Sequence, residues 1–439
     1  MNEASQQEVP TASPAPTFAE ALRVWARIGL LSFGGPAGQI ALMHRVLVDE
    51  KKWIDEQRFL AALNFCMLLP GPEATQLATY VGWRLHGVKG GVTAGLLFVM
   101  PGALVILALS MLYGAFGSLP LVEGLFVGIK AAVLAIVIEA LLRISRRALK
   151  SPFDWTIAGA AFVAIFFFAV PFPIVVLAAA LAGMLGATRQ RERPGVQALS
   201  APVSAAATLR TIGIWLAVWF LPLLALVHAY SDRPVLGDMA VLYSKLAVVS
   251  FGGAYAVLTY IADQAVNTYR WLEPGEMVDG LGLAETTPGP LILVNAFVAY
   301  LGAFRSLGEG GAMVTGVLGW AVALWATFAP CFLWIFAGAP YIDRLNAEPL
   351  LKRALGAITA AVVGVILNLT IWFALNVLFA GVSERHAGLL RLYVPDPETL
   401  VWPALALSAV AFFLLFVLHR GIITTLAVCG ALAFGWTLL

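Results

Sequence analysis

The stretch 91–113 carries no charged side chain, and neither do 172–186, 313–338, 401–418 and 422–439. A helix that crosses a bilayer needs about 20 apolar residues in succession. Its backbone must satisfy its own N–H and C=O groups, because lipid offers no hydrogen bonds. Repeated runs of this kind leave a helical membrane protein as the fold to expect. The nearly uncharged runs 154–170 and 209–229 extend the series, and 120–142 and 355–380 join it despite isolated polar residues. Charged residues supply only 12% of the 439 positions, about half the share in a soluble domain. The stretches 18–48, 58–86, 238–268 and 277–304 are also hydrophobic, but glycine, with proline in all but 238–268, breaks each of them.

Those breaks are duplicated. At an offset of 218, Ser32-Phe33-Gly34-Gly35 falls on Ser250-Phe251-Gly252-Gly253, Trp53 on Trp271, and Pro70-Gly71-Pro72 on Pro288-Gly289-Pro290. Arg27 meets Lys245 at the same offset. An 11-residue insertion around 305–310 moves the offset to 229, where Pro101 meets Pro330 and Lys130 meets Thr359. The flanking charges give the orientation. Arg143, Arg146, Arg147 and Lys150 follow the span 120–142, whereas Arg344, Lys352 and Arg353 precede its partner 355–380. By the positive-inside rule the two matched helices run in opposite directions, which predicts inverted repeats.

The expected architecture is therefore all-α and polytopic, with two inverted-topology repeats, broken or re-entrant helices, and roughly 10–13 membrane segments. Its parts are a disordered tail (1–17), a first repeat (18–150), a helical hairpin (151–186) turning at Pro171-Phe172-Pro173, a cytoplasmic linker (187–208), a connecting helix (209–237), a second repeat (238–380) and a C-terminal helical hairpin (381–439). The tail has neither the basic start nor the apolar core of a signal peptide. Insertion would then be directed by the mature helices, with the N-terminus in the cytoplasm.

Proline at membrane depth removes a backbone donor and splits a helix. Open backbone at that depth is tolerated only where it is buried or lines a cavity, and matched interruptions in two halves point to a transporter's binding site. Gly34, Gly35, Gly252 and Gly253 would end one short helix and start the next. A helix N-terminus carries about half a positive charge and free N–H donors. Four such ends after Gly35, Pro72, Gly253 and Pro290, if they converge, would suit a dianion. Ser32, Ser250, Thr75, Gln76, Thr286, Thr287 and Asn295 surround the breaks as hydrogen-bond donors. Arg27 and Lys245, each seven residues before a break glycine, would share its face and steer substrate. Lys130, costly inside a membrane, would touch the anion or pair with Glu139 or Glu285. Glu73 and Glu285 flank the two Pro-Gly-Pro breaks; protonation of such a carboxylate would couple anion movement to a proton gradient.

Other classes find no support in the residues. Net charge is only +2, too little for nucleic-acid binding. Cys66, Cys331 and Cys429 lie far apart in apolar stretches and read as buried free thiols. The chain has no Gly-Lys pair, hence no phosphate-binding loop, and its five scattered histidines form no metalloprotease pattern. No enzyme activity, metal or cofactor is expected. Small residues such as Gly91 and Gly95 would permit a homodimer.

At Ser32-Phe33-Gly34-Gly35-Pro36, Trp53, Leu69 to Gln76 (Leu-Pro-Gly-Pro-Glu-Ala-Thr-Gln), Tyr80 to Gly87, Ser250 to Gly253 and Thr287 to Pro290, the sequence resembles the two-domain type of the chromate ion transporter family. The resemblance runs from about residue 18 to residue 380. It implies efflux of chromate across a bacterial inner membrane, energised by membrane potential or a proton gradient, and so chromate resistance. Sulfate has the same charge and nearly the same shape, so a sulfate-like oxyanion remains an alternative cargo, and a passive anion channel an alternative mechanism. Ala254 stands where the first repeat has Pro36, so the two helix starts there are expected to differ.

Overall fold

The computed structural model describes residues 16–33, 35–117, 119–186, 204–251, 254–306, 312–342, 345, 348–388 and 390–437. Most of the tail (1–17) and of the linker (187–208), together with Gly34, Gly252 and Gly253, lie outside the described residues.

The first half opens with α1 (Phe18–Leu31), capped by the Thr17 side chain, and α2 (Gly35–His44), which continues as a π-helical turn over Arg45–Glu50. Then come α3 (Glu56–Leu68), capped by Asp55, and α4 (Glu73–Phe116). α4 is two arms that fold back at His86 and Gly87, where Gly87 has φ +61. Glycine is needed there because a side chain disfavours that conformation. The arms pack tightly: side chains on Gly82 or Gly90 would each overlap the other's carbonyl. α5 (Pro120–Ala148) closes the half.

α6 (Pro152–Phe168) and α7 (Phe172–Leu185) follow, started by a Ser151–Asp154 capping box and joined through Ala169 in the left-handed region. α8 (Ala205–Ala229) leads to the second half. That half comprises α9 (Pro234–Val249), α10 (Ala254–Asp263) with a π turn over Gln264–Thr268, and α11 (Pro274–Thr286). It continues with a 3-10 turn at Leu291–Leu293 leading into α12 (Val294–Arg305), then α13 (Ala312–Gly338) and α14 (Pro349–Leu378). The chain ends with α15 (Trp402–Phe412) and α16 (Ile422–Thr437).

The chain is a multi-pass, almost wholly helical membrane protein. Among the described residues, five helices are long and apolar enough to cross a bilayer: α4, α5, α8, α13 and α14. One element was not foreseen. Within 381–439, read as helices alone, a small antiparallel hairpin pairs β1 (Val382–Ala387) with β2 (Leu390–Pro395). Arg391 ties it to the helices by donating to the Ile165 carbonyl at 2.8 Å.

The broken stretches turn back on themselves. Lys51 at the end of the α2 limb pairs with Glu20 at the start of α1 at 3.0 Å, and Arg27 pairs with Glu50 at 3.4 Å. His86, ending the first arm of α4, meets the Pro16 carbonyl at 2.9 Å. In the second half Arg305 of α12 bonds Glu276 of α11 at 2.7 Å, and Gly302 packs on Trp271 and Met239. Each stretch therefore brings its two ends together, as a hairpin of short helices about 20 Å long at 1.5 Å per residue.

Candidate functional site

The described residues of the duplicated motifs take nearly the same conformation in both halves. Ser32 has φ −78 and ψ 68, and Ser250 has φ −80 and ψ 72. Each makes an inverse γ-turn, closed by Phe33 N–H to the Leu31 carbonyl at 2.9 Å and Phe251 N–H to the Val249 carbonyl at 3.0 Å. Gly71 and Gly289 have φ +110 and +96, a region where L side chains are strained. Even the loops before α3 and α11 agree, with Lys52 at φ +54 and Arg270 at φ +53.

The tips bond across the halves, and they do so reciprocally. Gly71 N–H donates to the Ser250 carbonyl at 2.9 Å, and Gly289 N–H donates to the Ser32 carbonyl at 2.8 Å. Each proline-flanked break thus finds in the other half the partner its own helix cannot give. The packing underneath is also exchanged. Gly71 lies against Cys331 of α13, while Gly289 lies against Gly102 in the second arm of α4. Gly102 and Cys331 correspond at the offset of 229, each one residue after a helix-interior proline, Pro101 or Pro330. Position 102 has to be glycine: a side chain there would overlap the Pro288 carbonyl oxygen.

Polar side chains crowd this layer. Ser32, Thr75, Gln76, Ser250, Thr287 and Asn295 are all buried. Ser32 Oγ donates to the Ile28 carbonyl at 2.6 Å, Thr287 Oγ1 to Ala284 at 3.2 Å, and Thr286 Oγ1 to Leu283 at 2.8 Å. Gln76 Nε2 holds the Pro70 carbonyl at 2.6 Å, and Asn295 Nδ2 reaches Thr327 Oγ1 at 3.4 Å. Thr75 Oγ1, Ser250 Oγ, Gln76 Oε1 and Asn295 Oδ1 are buried without a hydrogen-bond partner among the described residues. Such atoms cost roughly 1–3 kcal/mol each when left dry, so a cluster of them marks a place built to receive something polar. Glu73 lies in the first turn of α4, directly after Pro72, and Glu285 is buried at the end of α11, three residues before Pro288. Pro72 and Pro290 stand one position outside the helices they precede, as N-caps.

Several expectations change. The two Pro-Gly-Pro breaks are each tied to a serine of the other half, Gly71 to Ser250 and Gly289 to Ser32. Arg27 is exposed and bound to Glu50, and Lys245 is exposed on α9, so neither faces the breaks. A residue five positions before its serine lies about 140° round the helix from it, and each helix ends before the break glycine. Lys130 pairs with Asp279 at 3.2 Å, not with Glu139, which binds Arg143. Gly91 and Gly95 receive Phe336 and Phe332 of the same chain, so they offer no free face to a second copy.

Two site residues escaped the sequence reading. Gln39 is fully buried on α2 and donates from Nε2 to the Gly289 carbonyl at 2.6 Å, clamping the second break from the first half. Its partner at the 218 offset is Val257, so a search confined to duplicated motifs passes over it. Asp279 is buried beside Lys130 and Tyr113. The same cost argument that singles out Lys130 would have found it, as an acidic residue within the apolar stretch 277–304.

The sequence matches the profile of the family described as Chromate transporter over residues 19–184 and 237–436. It is 33% identical over 406 residues to a chromate transport protein of Pseudomonas aeruginosa, covering 89% of this chain and 90% of that protein. A chromate transport protein of Cupriavidus metallidurans is 29% identical over 374 residues, covering 82% of this chain and 84% of its own. A probable chromate transport protein of Synechococcus elongatus is 26% identical over 353 residues, covering 80% and 84%. No solved structure matches the chain. Two matched regions that span most of the sequence, each containing one set of breaks, place the chain in the chromate transporter family.

Proposed function

We propose that the protein is a secondary transporter that exports chromate across the bacterial inner membrane and so confers chromate resistance. The two halves are inserted in opposite orientations, with the N-terminus in the cytoplasm. The observation that carries this reading is the reciprocal exchange at the breaks: Gly71 on Ser250 and Gly289 on Ser32, at 2.9 and 2.8 Å. Two mirrored halves that share one seam can rock about it while the seam stays intact.

The dianion would lie beside the seam, against the N-terminal ends of α4 and of the 291–305 limb. Their dipoles and free N–H groups favour negative charge without a buried lysine. Thr75 and Ser250 hydroxyls, buried without a partner among the described residues, would donate to its oxygens. Glu73, opening α4, repels an anion when ionised and admits it when protonated, which is how a proton gradient would enter the cycle. Glu285 is the second carboxylate at the seam. The membrane potential alone would also drive a dianion outward, at about 2.3 kcal/mol per charge per 100 mV.

The test is uptake of radiolabelled chromate into everted vesicles, with sulfate as competitor and the proton gradient set by the experimenter. Accumulation against the chromate gradient, abolished by collapsing the driving force and resistant to excess sulfate, is expected. Complete competition by sulfate would reassign the cargo. Equilibration without accumulation would make the protein a channel.

A further inference from the structure

The halves match at their breaks but differ at their third helices. α3 exposes Gln57, Leu60, Asn64 and Met67, a spacing that lines up one helix face. That face borders a cleft of about 620 Å³, whose other wall is Lys352, Leu355, Gly356 and Thr359 of α14. Leu68, two residues before Pro70, also lines it. The corresponding helices of the other pairing, α11 and α5, are pressed together. Residues 277–285 are buried without interruption, and a side chain on Gly282 would overlap Ile129. The difference is sharp at single positions: Leu60 is 44% exposed, and its counterpart Val278 is 0% exposed.

A polar cluster spans the closed pair. Lys130 Nζ of α5 meets Asp279 of α11 at 3.2 Å, and Asp279 accepts from the Tyr113 hydroxyl at 2.7 Å. The Tyr113 ring is held between Phe126 and Phe297, at 5.2 and 5.3 Å between ring centres. At the matching positions of the open pair stand Thr359 and Ala61, both in the cleft wall. One helix pair is thus parted while its counterpart is closed over an ion pair.

We propose that the cleft between α3 and α14 is the open entrance for the oxyanion, and that Lys130, Asp279 and Tyr113 latch the mirrored entrance between α11 and α5. This rests on the transporter reading above. Under the inverted topology the cleft faces the cytoplasm, so the exporter stands ready to load. Lys352 supplies a cation at the mouth, and Gln57, Asn64 and Thr359 supply donors for a dianion shedding water. Transport exchanges the two states: the latch parts, and the α3 face becomes buried against α14. Lys130 and Asp279 are positioning residues, which set the balance of states without touching cargo.

The test is labelling of single cysteines with a membrane-impermeant maleimide. Cys66, Cys331 and Cys429 are buried, so the parent protein is the blank. Asn64→Cys should react about tenfold faster in everted than in right-side-out vesicles, and Val278→Cys should be protected in both. Asp279→Asn should speed labelling of Val278→Cys from the outer side about tenfold and slow that of Asn64→Cys. The charge swap Lys130→Asp with Asp279→Lys should restore protection. Asn64→Cys reacting only with a lipid-soluble maleimide would make the cleft a lipid groove and overturn the proposal. So would unchanged protection of Val278→Cys in both Asp279→Asn and the neutral pair Lys130→Met with Asp279→Leu. Labelling needs no chromate, so absent chromate flux would remove the transport reading while leaving this result readable.

Discussion

Gly102→Ala puts one methyl group where the account needs none. The new Cβ would overlap the Pro288 carbonyl oxygen and press on Leu293. The carbonyl belongs to the peptide whose N–H bonds Ser32 at 2.8 Å, so relief of the clash must pull that bond apart. Overpacking costs about 1–3 kcal/mol, and stranding a buried N–H and its carbonyl costs about 1–3 kcal/mol more. The sum is about 2–6 kcal/mol, set against a gain of about 0.4–1 kcal/mol that a Gly→Ala change brings where there is room. A methyl group added at Gly159 on α6 would meet nothing within 4 Å, which makes Gly159→Ala the control. Thermal unfolding of the purified protein, followed by tryptophan fluorescence, should show Gly102→Ala several degrees below wild type and Gly159→Ala at or above it. Chromate flux should fall in the first alone. Equal melting temperatures and equal flux in the two variants would mean that the cross-half seam is not as tight as described.

Gly71→Val and Gly289→Val, at φ +110 and +96, should abolish chromate resistance while membrane expression, read by immunoblot, survives. Gln39→Leu removes the donor to the Gly289 carbonyl and should lower chromate flux at least tenfold, whereas Val257→Leu at the matching position should leave flux near wild type, because no clamp stands there. In a double-mutant cycle on the melting temperature, Arg305 and Glu276 should show a coupling of about 1 kcal/mol, since the pair is bidentate but partly solvent-screened. Tyr393 lies outside the spans on β2, and burial pushes its phenol up to about 12 although Arg391 beside it pulls the other way. A group whose pKa is raised on folding favours the docked hairpin below 10 and loses that contribution as pH rises towards 12. Proteolysis of the hairpin should therefore increase over that window, and Tyr393→Phe should remove the increase.

The parts of the fold that follow from solvent were legible in the residues. Uncharged runs such as 313–338 can do little but cross the bilayer, and they form helices of the expected extent. The paired breaks were also legible, because proline and glycine act locally: Gly71 and Gly289 take positive φ for reasons contained in their own tripeptides. What the sequence could not supply was the partner of each break. Whether Gly71 bonds Ser250 or another residue is decided by how two hairpins meet, and no local pattern records that. The same limit explains Arg27 and Lys245, whose matched positions suggested a shared task. Each helix ends before its break glycine, at Leu31 and at Val249, so the face that carries Arg27 or Lys245 does not run on to the break. The β-hairpin at 382–395 was missed because six-residue strands with mixed side chains give no clear alternation. Gln39 was missed for a different reason: the duplication drew attention to what the halves share, and the clamp is something only one of them has.

The central claim places a doubly negative guest beside the seam where Gly71 and Gly289 reach across to the opposite half. Chromium scatters X-rays anomalously at its absorption edge, so crystals of the protein grown with chromate would locate the ion without ambiguity. One peak within contact distance of Thr75, Ser250 and the first turn of α4 is predicted, absent in crystals of Gly71→Val. A peak at the exposed Arg27 or Lys245, with none at the seam, would contradict it.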